Sequence, residues 1–66
     1  MLAYFSMRLK QLRAAKGMTQ SEVALYVGVS RSVISAYESD LRYPSYEILI
    51  RLSSLFGVST DFMLGV

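Results

Sequence analysis

Arg31, Ser32, Ser35 and Ala36 fall at spacings that put them on one side of a helix, opposite Val33, Ile34 and Tyr37. That outer side carries one planar, permanently charged donor fork, two hydroxyls that donate or accept, and a methyl group. The set suits gripping an acceptor-rich surface rather than moving protons. The chain of 66 residues has no histidine and no cysteine, so catalysis would need Asp, Glu, Lys, Tyr or Ser. Imidazole general bases, Ser-His triads, disulfides and zinc sites of the usual kind are thereby excluded. Ser35 and Glu38 share a helix face, but a serine beside a carboxylate, without a base, is not an activated nucleophile. No paired carboxylates and no phosphate-cradling loop occur. The sequence predicts a binding protein, not an enzyme, with no cofactor and no metal.

The elements that must hold this side outward are short, and each has its own stop signal. In "YFSMRLKQLRAAKG", Phe5, Leu9 and Leu12 share a face, and Lys16 and Gly17 form a basic end and a glycine stop. "TQSE" is a capping box, with Thr19 as cap and Glu22 reaching back. Val23, Ala24 and Val27 then form a buried side until Gly28. Ser30 caps the third helix. "SDLRYPS" is a loop in which Asp40 tolerates a left-handed backbone and Pro44 holds Tyr43 extended. After Ser45, "YEILIRLSSLFG" has a stripe of Leu49, Leu52 and Phe56. Ile48, Ile50 and Leu55 widen it, so this helix is expected to be enclosed on several sides. "STDFMLGV" closes the chain, with Ser59 as cap and Asp61 near the positive end of a short helix. No strand-like alternation occurs. The expectation is a compact all-α domain of five helices over residues 1–66.

Composition agrees with this and adds limits. A domain this small needs the 53% hydrophobic content it has, because its surface is large for its volume. Seven Lys and Arg against five Asp and Glu leave a net charge of +2. That balance suits a polyanion only weakly and fits an ordinary surface about as well. No apolar run approaches the ~18 residues of a membrane span. The opening "MLAYF" is too short for a signal-peptide core and has no cationic residue before it. A cytoplasmic protein is expected.

Gly28 explains the arrangement. Within one long helix it would cost about 1 kcal/mol relative to alanine. Between two helices of about two turns each, it supplies the left-handed backbone that ends one and starts the next at a steep angle. Val29 can then tuck beneath both. Counting Gln20 as first, Ala24 is fifth, Gly28 ninth, Val29 tenth and Ile34 fifteenth, with Val23, Val27 and Tyr37 also inward. Ala24 is small where two axes cross, and branched Val29 and Ile34 fill the wedge. These constraints together describe a helix-turn-helix over residues 20–39.

With these residues in view, the chain resembles the helix-turn-helix domain of the phage-repressor and Cro family, also called the XRE family. The likeness runs from Phe5 to Leu64 and includes "LKQLRAAKGMTQSEVA", "GVSRSVISAYE" and "YPSYEILIRLSSLFGVSTDFML". It implies a lambda-repressor-like fold that binds double-stranded DNA as a homodimer on a near-palindromic site, in a transcription regulator of the repressor kind. On that likeness Arg31, Ser32, Ser35 and Ala36 meet base edges in the major groove, Arg31 with a fork suited to guanine O6 and N7. Gln20, Ser30, Ser39, Arg42 and Tyr43 fall where the family contacts phosphates. Arg13 and Glu38 match an Arg–Glu pair that links the first and third helices.

Two positions depart from the family's pattern. Ala36 replaces a residue that is polar or basic in many relatives, and Asp40 replaces a glycine and adds negative charge beside the phosphate track. Both point to weak binding by one copy and to a dimer. Phe62, Met63, Leu64 and Val66, with the opening "MLAYF", are apolar material for a dimer face or for closing the core; Phe62 and Leu64 are expected mostly in the core, and Met63 and Val66 are left open between the two. The competing reading is a protein-interaction module of the same fold, of the antitoxin or adaptor type, with DNA binding secondary.

Overall fold

The computed structural model describes residues 3–66; Met1 and Leu2 of the opening segment lie outside the described residues. Five helices follow in order: α1 (Ala3–Ala15), α2 (Gln20–Val27), α3 (Arg31–Glu38), α4 (Tyr46–Phe56) and α5 (Thr60–Leu64). Each boundary has a local cause. Thr19 Oγ1 accepts from the Glu22 N–H at 3.1 Å while the Thr19 N–H donates to Glu22 Oε1 at 2.8 Å, a complete capping box. Ser30, Ser45 and Ser59 cap α3, α4 and α5 by accepting from Val33, Ile48 and Phe62.

The core draws on every helix. Phe5 and Leu9 of α1, Val23, Ala24 and Val27 of α2, and Ile34 and Tyr37 of α3 are buried together with Leu49, Leu52 and Leu55 of α4 and Met63 of α5. The Phe5 and Tyr37 rings meet edge to face with centroids 5.9 Å apart. α3 packs on α1 and α2, and α5 lies against α1 and α4. The whole measures 27 × 24 × 21 Å.

Two expectations about packing are corrected. Phe62, expected in the core, is 45% exposed and Leu64 is only half-buried, while Met63, left between core and dimer face, is fully buried. Adjacent helical residues point about 100° apart, so a short helix can send only one of the two inward. The Phe62 ring is instead covered by the Arg8 guanidinium of α1, 4.2 Å from its centroid, and Arg8 also donates to the Phe62 carbonyl. α4 is not enclosed on several sides either: Ile50 is 47% exposed and Phe56 is half-buried. Among the described residues α2 and α5 are the helices that pack closely on α4, and Tyr46 and Ile50 on its other side face solvent.

Candidate nucleic-acid interface

The corner between α2 and α3 determines what the outer face of α3 presents. Gly28 has φ 81°, and its N–H and that of Val29 both point back to the Ala24 carbonyl, at 2.9 and 3.0 Å. The backbone is therefore left-handed where the direction changes, a conformation that glycine adopts without a Cβ clash. Val29 is partly buried against the core, Ala24 is buried in it, and α2 packs on α3. α3 then starts immediately at Arg31.

Along α3 the outer face is open at its start and partly closed at its end. Arg31 and Ser32 are exposed. Among the described residues nothing hydrogen-bonds to or pairs with the Arg31 guanidinium. Ser30 Oγ serves as the cap and lies 3.0 Å from Ser32 Oγ, so both hydroxyls have local partners. Ser35 and Ala36 are half-buried. Beyond them the helix ends as the Leu41 and Arg42 N–H groups turn back to the Ala36 carbonyl, at 2.9 and 3.3 Å. This is a Schellman-type end with Asp40 at φ 61°, where glycine is the usual residue. The Ser6 hydroxyl has one hydrogen and two acceptors in reach, the Tyr37 carbonyl at 2.8 Å and Asp40 Oδ1 at 3.3 Å. It thereby ties α1 to the end of α3. Ser39, Arg42 and Tyr43 are exposed on the loop beyond. Burial pushes the Tyr37 phenol above its ordinary range, and the charge of nearby Arg42 opposes that rise.

A buried ionic cluster fixes α3 against α1 and α2. Arg13 Nε donates to Glu38 Oε2 at 2.6 Å and Nη2 to Oε1 at 3.1 Å, while Nη1 donates to the Met18 carbonyl at 3.0 Å. The Glu38 side chain is 3% exposed and that of Arg13 20%. The hydrogen bond to Glu38 raises the Arg13 pKa further, against the opposing effect of burial. Gln20 Nε2 completes the carboxylate with a bond of 3.1 Å to Oε1. The Gln20 amide is thus engaged with Glu38, and since Glu22 and Val23 donate to Thr19, only one amide hydrogen and the backbone N–H groups of Gln20 and Ser21 remain at the start of α2. Sequence reading missed this tie, and it also missed Ser6 and Arg51. All three are contacts between residues far apart in the chain, for which a single sequence carries no local signal.

Arg31 and Ser32 at the start of α3 and Ser39, Arg42 and Tyr43 beyond its end are thus exposed, while Gln20 at the start of α2 is half-buried. Comparison with known proteins gives the same architecture a lineage. The helix-turn-helix family profile matches residues 9–63. The chain is 43% identical over 58 residues to the HTH-type transcriptional regulator ImmR of Bacillus subtilis, covering 88% of this chain and 46% of ImmR. The chain spans about half the length of the curated relatives it matches first. In three dimensions it is similar to the P22 c2 repressor in complex with a synthetic operator, with a TM-score of 0.88 at 30% identity and 91% of each chain covered. It is also similar to the N-terminal DNA-binding domain of SinR from Bacillus subtilis, with a TM-score of 0.83 at 36% identity over 91% of this chain and 88% of that one. Matched over most of its length by sequence and by structure, and built around the left-handed corner at Gly28, the chain belongs to the helix-turn-helix family of the phage-repressor and Cro type.

Proposed function

We propose that residues 1–66 form a DNA-binding domain of a transcription regulator of the repressor kind, with residues 20–39 as its helix-turn-helix unit. It reads double-stranded DNA with α3 in the major groove. The observation that carries this reading is the exposed, unpartnered Arg31 fork on the first turn of α3, just beyond the left-handed corner, in a fold similar to a repressor determined on its operator. Arg31 reads a guanine, and Ser32 adds a hydroxyl at the same end. Ser35 and Ala36 lie further from the opening and contribute shape and an apolar contact.

Phosphate contacts come from Arg42 and Tyr43 on the loop, from Ser39, and from the backbone N–H and remaining amide hydrogen of Gln20. Ser30 joins them only through its backbone, since its hydroxyl caps α3. Arg13 and Glu38 hold α3 in place and touch no DNA. This reading calls for no catalytic role: without histidine or cysteine, catalysis would need Asp, Glu, Lys, Tyr or Ser, and the sequence has no paired carboxylates or phosphate-cradling loop to organise them.

Two copies act together. A body 27 Å in its longest dimension covers one half-site, and two copies side by side match major-groove segments ~34 Å apart. The exposed side chains of Tyr4, Met7, Phe62 and Val66 offer apolar area for such a homodimer. Among the described residues no helix is long and apolar enough to cross a membrane, and the regulator acts in the cytoplasm, where DNA is accessible.

The test is anisotropy of a labelled duplex titrated with the protein across a salt series. DNA binding requires affinity that falls linearly on a log–log plot against salt. Absence of binding at about 50 mM salt, with the protein folded, would leave the protein-interaction reading in its place.

A further inference from the structure

We infer that Arg51 of α4 is a positioning residue for α3, acting through the corner at Gly28; the inference rests on the DNA-reading assignment of α3. Its Nη1 donates to the carbonyl of Val27, the last residue of α2, at 3.1 Å. Its Nη2 pairs with Glu47 one turn back on α4 at 2.8 Å. A Cβ placed on Gly28 would lie 3.1 Å from Nη1, so the guanidinium sits directly against the residue where the chain turns.

The end of α2 needs such a partner. Gly28 and Val29 both donate to the Ala24 carbonyl, which leaves the Val27 carbonyl pointing out of the helix without a backbone donor. α2 has no basic residue in its own last turn. The cation that complements its negative end arrives from α4 instead, 24 residues on in sequence. Glu47 orients it, so one face of α4 braces the carbonyl that immediately precedes the corner. The α2–α3 angle, and with it the reach of Arg31, is fixed from outside the two-helix unit. With 48% of its side chain exposed, Arg51 lies on the surface and is not one of the buried core residues.

The experiment compares wild type with Arg51→Met, which keeps the stem and removes the donors, and with Glu47→Gln. Residual dipolar couplings of the free proteins report the orientation of α3 relative to α4. Duplex binding is measured on a site selected from random sequence and on unrelated DNA. Positioning requires reoriented α3 couplings and a changed Val27 carbonyl shift. It also requires about ten-fold weaker binding to the selected site with non-specific affinity and salt slope retained. Glu47→Gln gives the same change to a smaller degree. A salt slope lower by about one would make Arg51 a direct phosphate contact and overturn the inference. Unchanged couplings would overturn it as well, whatever the binding. If wild type selects no sequence, the DNA reading fails by itself and the couplings still decide the role of Arg51.

Discussion

Removing the Arg13 guanidinium should destabilise the domain more than any change on the proposed DNA surface. In Arg13→Met the Glu38 carboxylate, 3% exposed, loses both guanidinium bonds and keeps only the Gln20 amide at 3.1 Å. The Met18 carbonyl loses its side-chain donor too. An uncompensated buried charge costs ~3–5 kcal/mol. Arg13 is 20% exposed, so water reaches the vacated space and the lower end, about 3 kcal/mol, applies. A domain of 66 residues has about 3–10 kcal/mol of stability in all, so the loss takes a third or more of it. The corresponding drop in Tm is about 12–24 °C. Far-UV circular dichroism during thermal and urea unfolding measures it. The double variant Arg13→Met/Glu38→Leu separates charge from packing. With both charges gone, no ion is left buried, and most of the stability should return. An Arg13→Met melting curve superimposed on wild type would refute the reasoning, and so would a double variant less stable than either single one.

Three further outcomes follow from particular contacts. Arg42→Ala should weaken binding to all duplexes alike and lower the salt slope by about one, as measured by anisotropy; a loss confined to one sequence would contradict a phosphate role. Asp40→Asn keeps the left-handed residue and the Ser6 hydrogen bond but removes a negative charge beside the loop, so DNA affinity should rise by about 0.5–1 kcal/mol at unchanged Tm. Because the folded state raises the Tyr37 pKa, the unfolded chain loses that proton first as pH rises past its ordinary value of 10.0, and stability falls from there upward. Tyr37→Phe should flatten that alkaline decline in urea midpoints between about pH 9 and 11, while an identical decline would remove Tyr37 as its source.

What the sequence made legible was decided by range. Gly28, the capping box of Thr19 and Glu22, and the serine caps depend on neighbours within a turn, and residue type alone dictates their backbone. Ala24, Val29 and Ile34 were readable because a two-helix unit places them at defined offsets. The choice between Phe62 and Met63 was not local. It depended on Arg8, 54 residues earlier, which covers the Phe62 ring from α1 and leaves the inward direction to Met63. Ile50 was misjudged because hydropathy shows that a face is apolar, not whether another helix covers it. On the candidate surface, the periodicity of α3 placed Arg31 outward, but it could not show that Ser35 and Ala36 are half-buried or that the Leu41 and Arg42 N–H groups return to the Ala36 carbonyl. The inward tie of Gln20 to Glu38 and the brace from Arg51 to Val27 were equally invisible, since each joins residues 18 or more positions apart.

The central claim is that α3 reads bases through Arg31. Selection from a random duplex library, run in parallel with wild type and Arg31→Ala, tests it most directly. Wild type should select inverted half-sites about ten base pairs apart, and the variant should lose preference at one base pair per half-site at a cost of ~1–3 kcal/mol. Identical selected motifs from the two proteins, or no enriched motif from wild type, would contradict it.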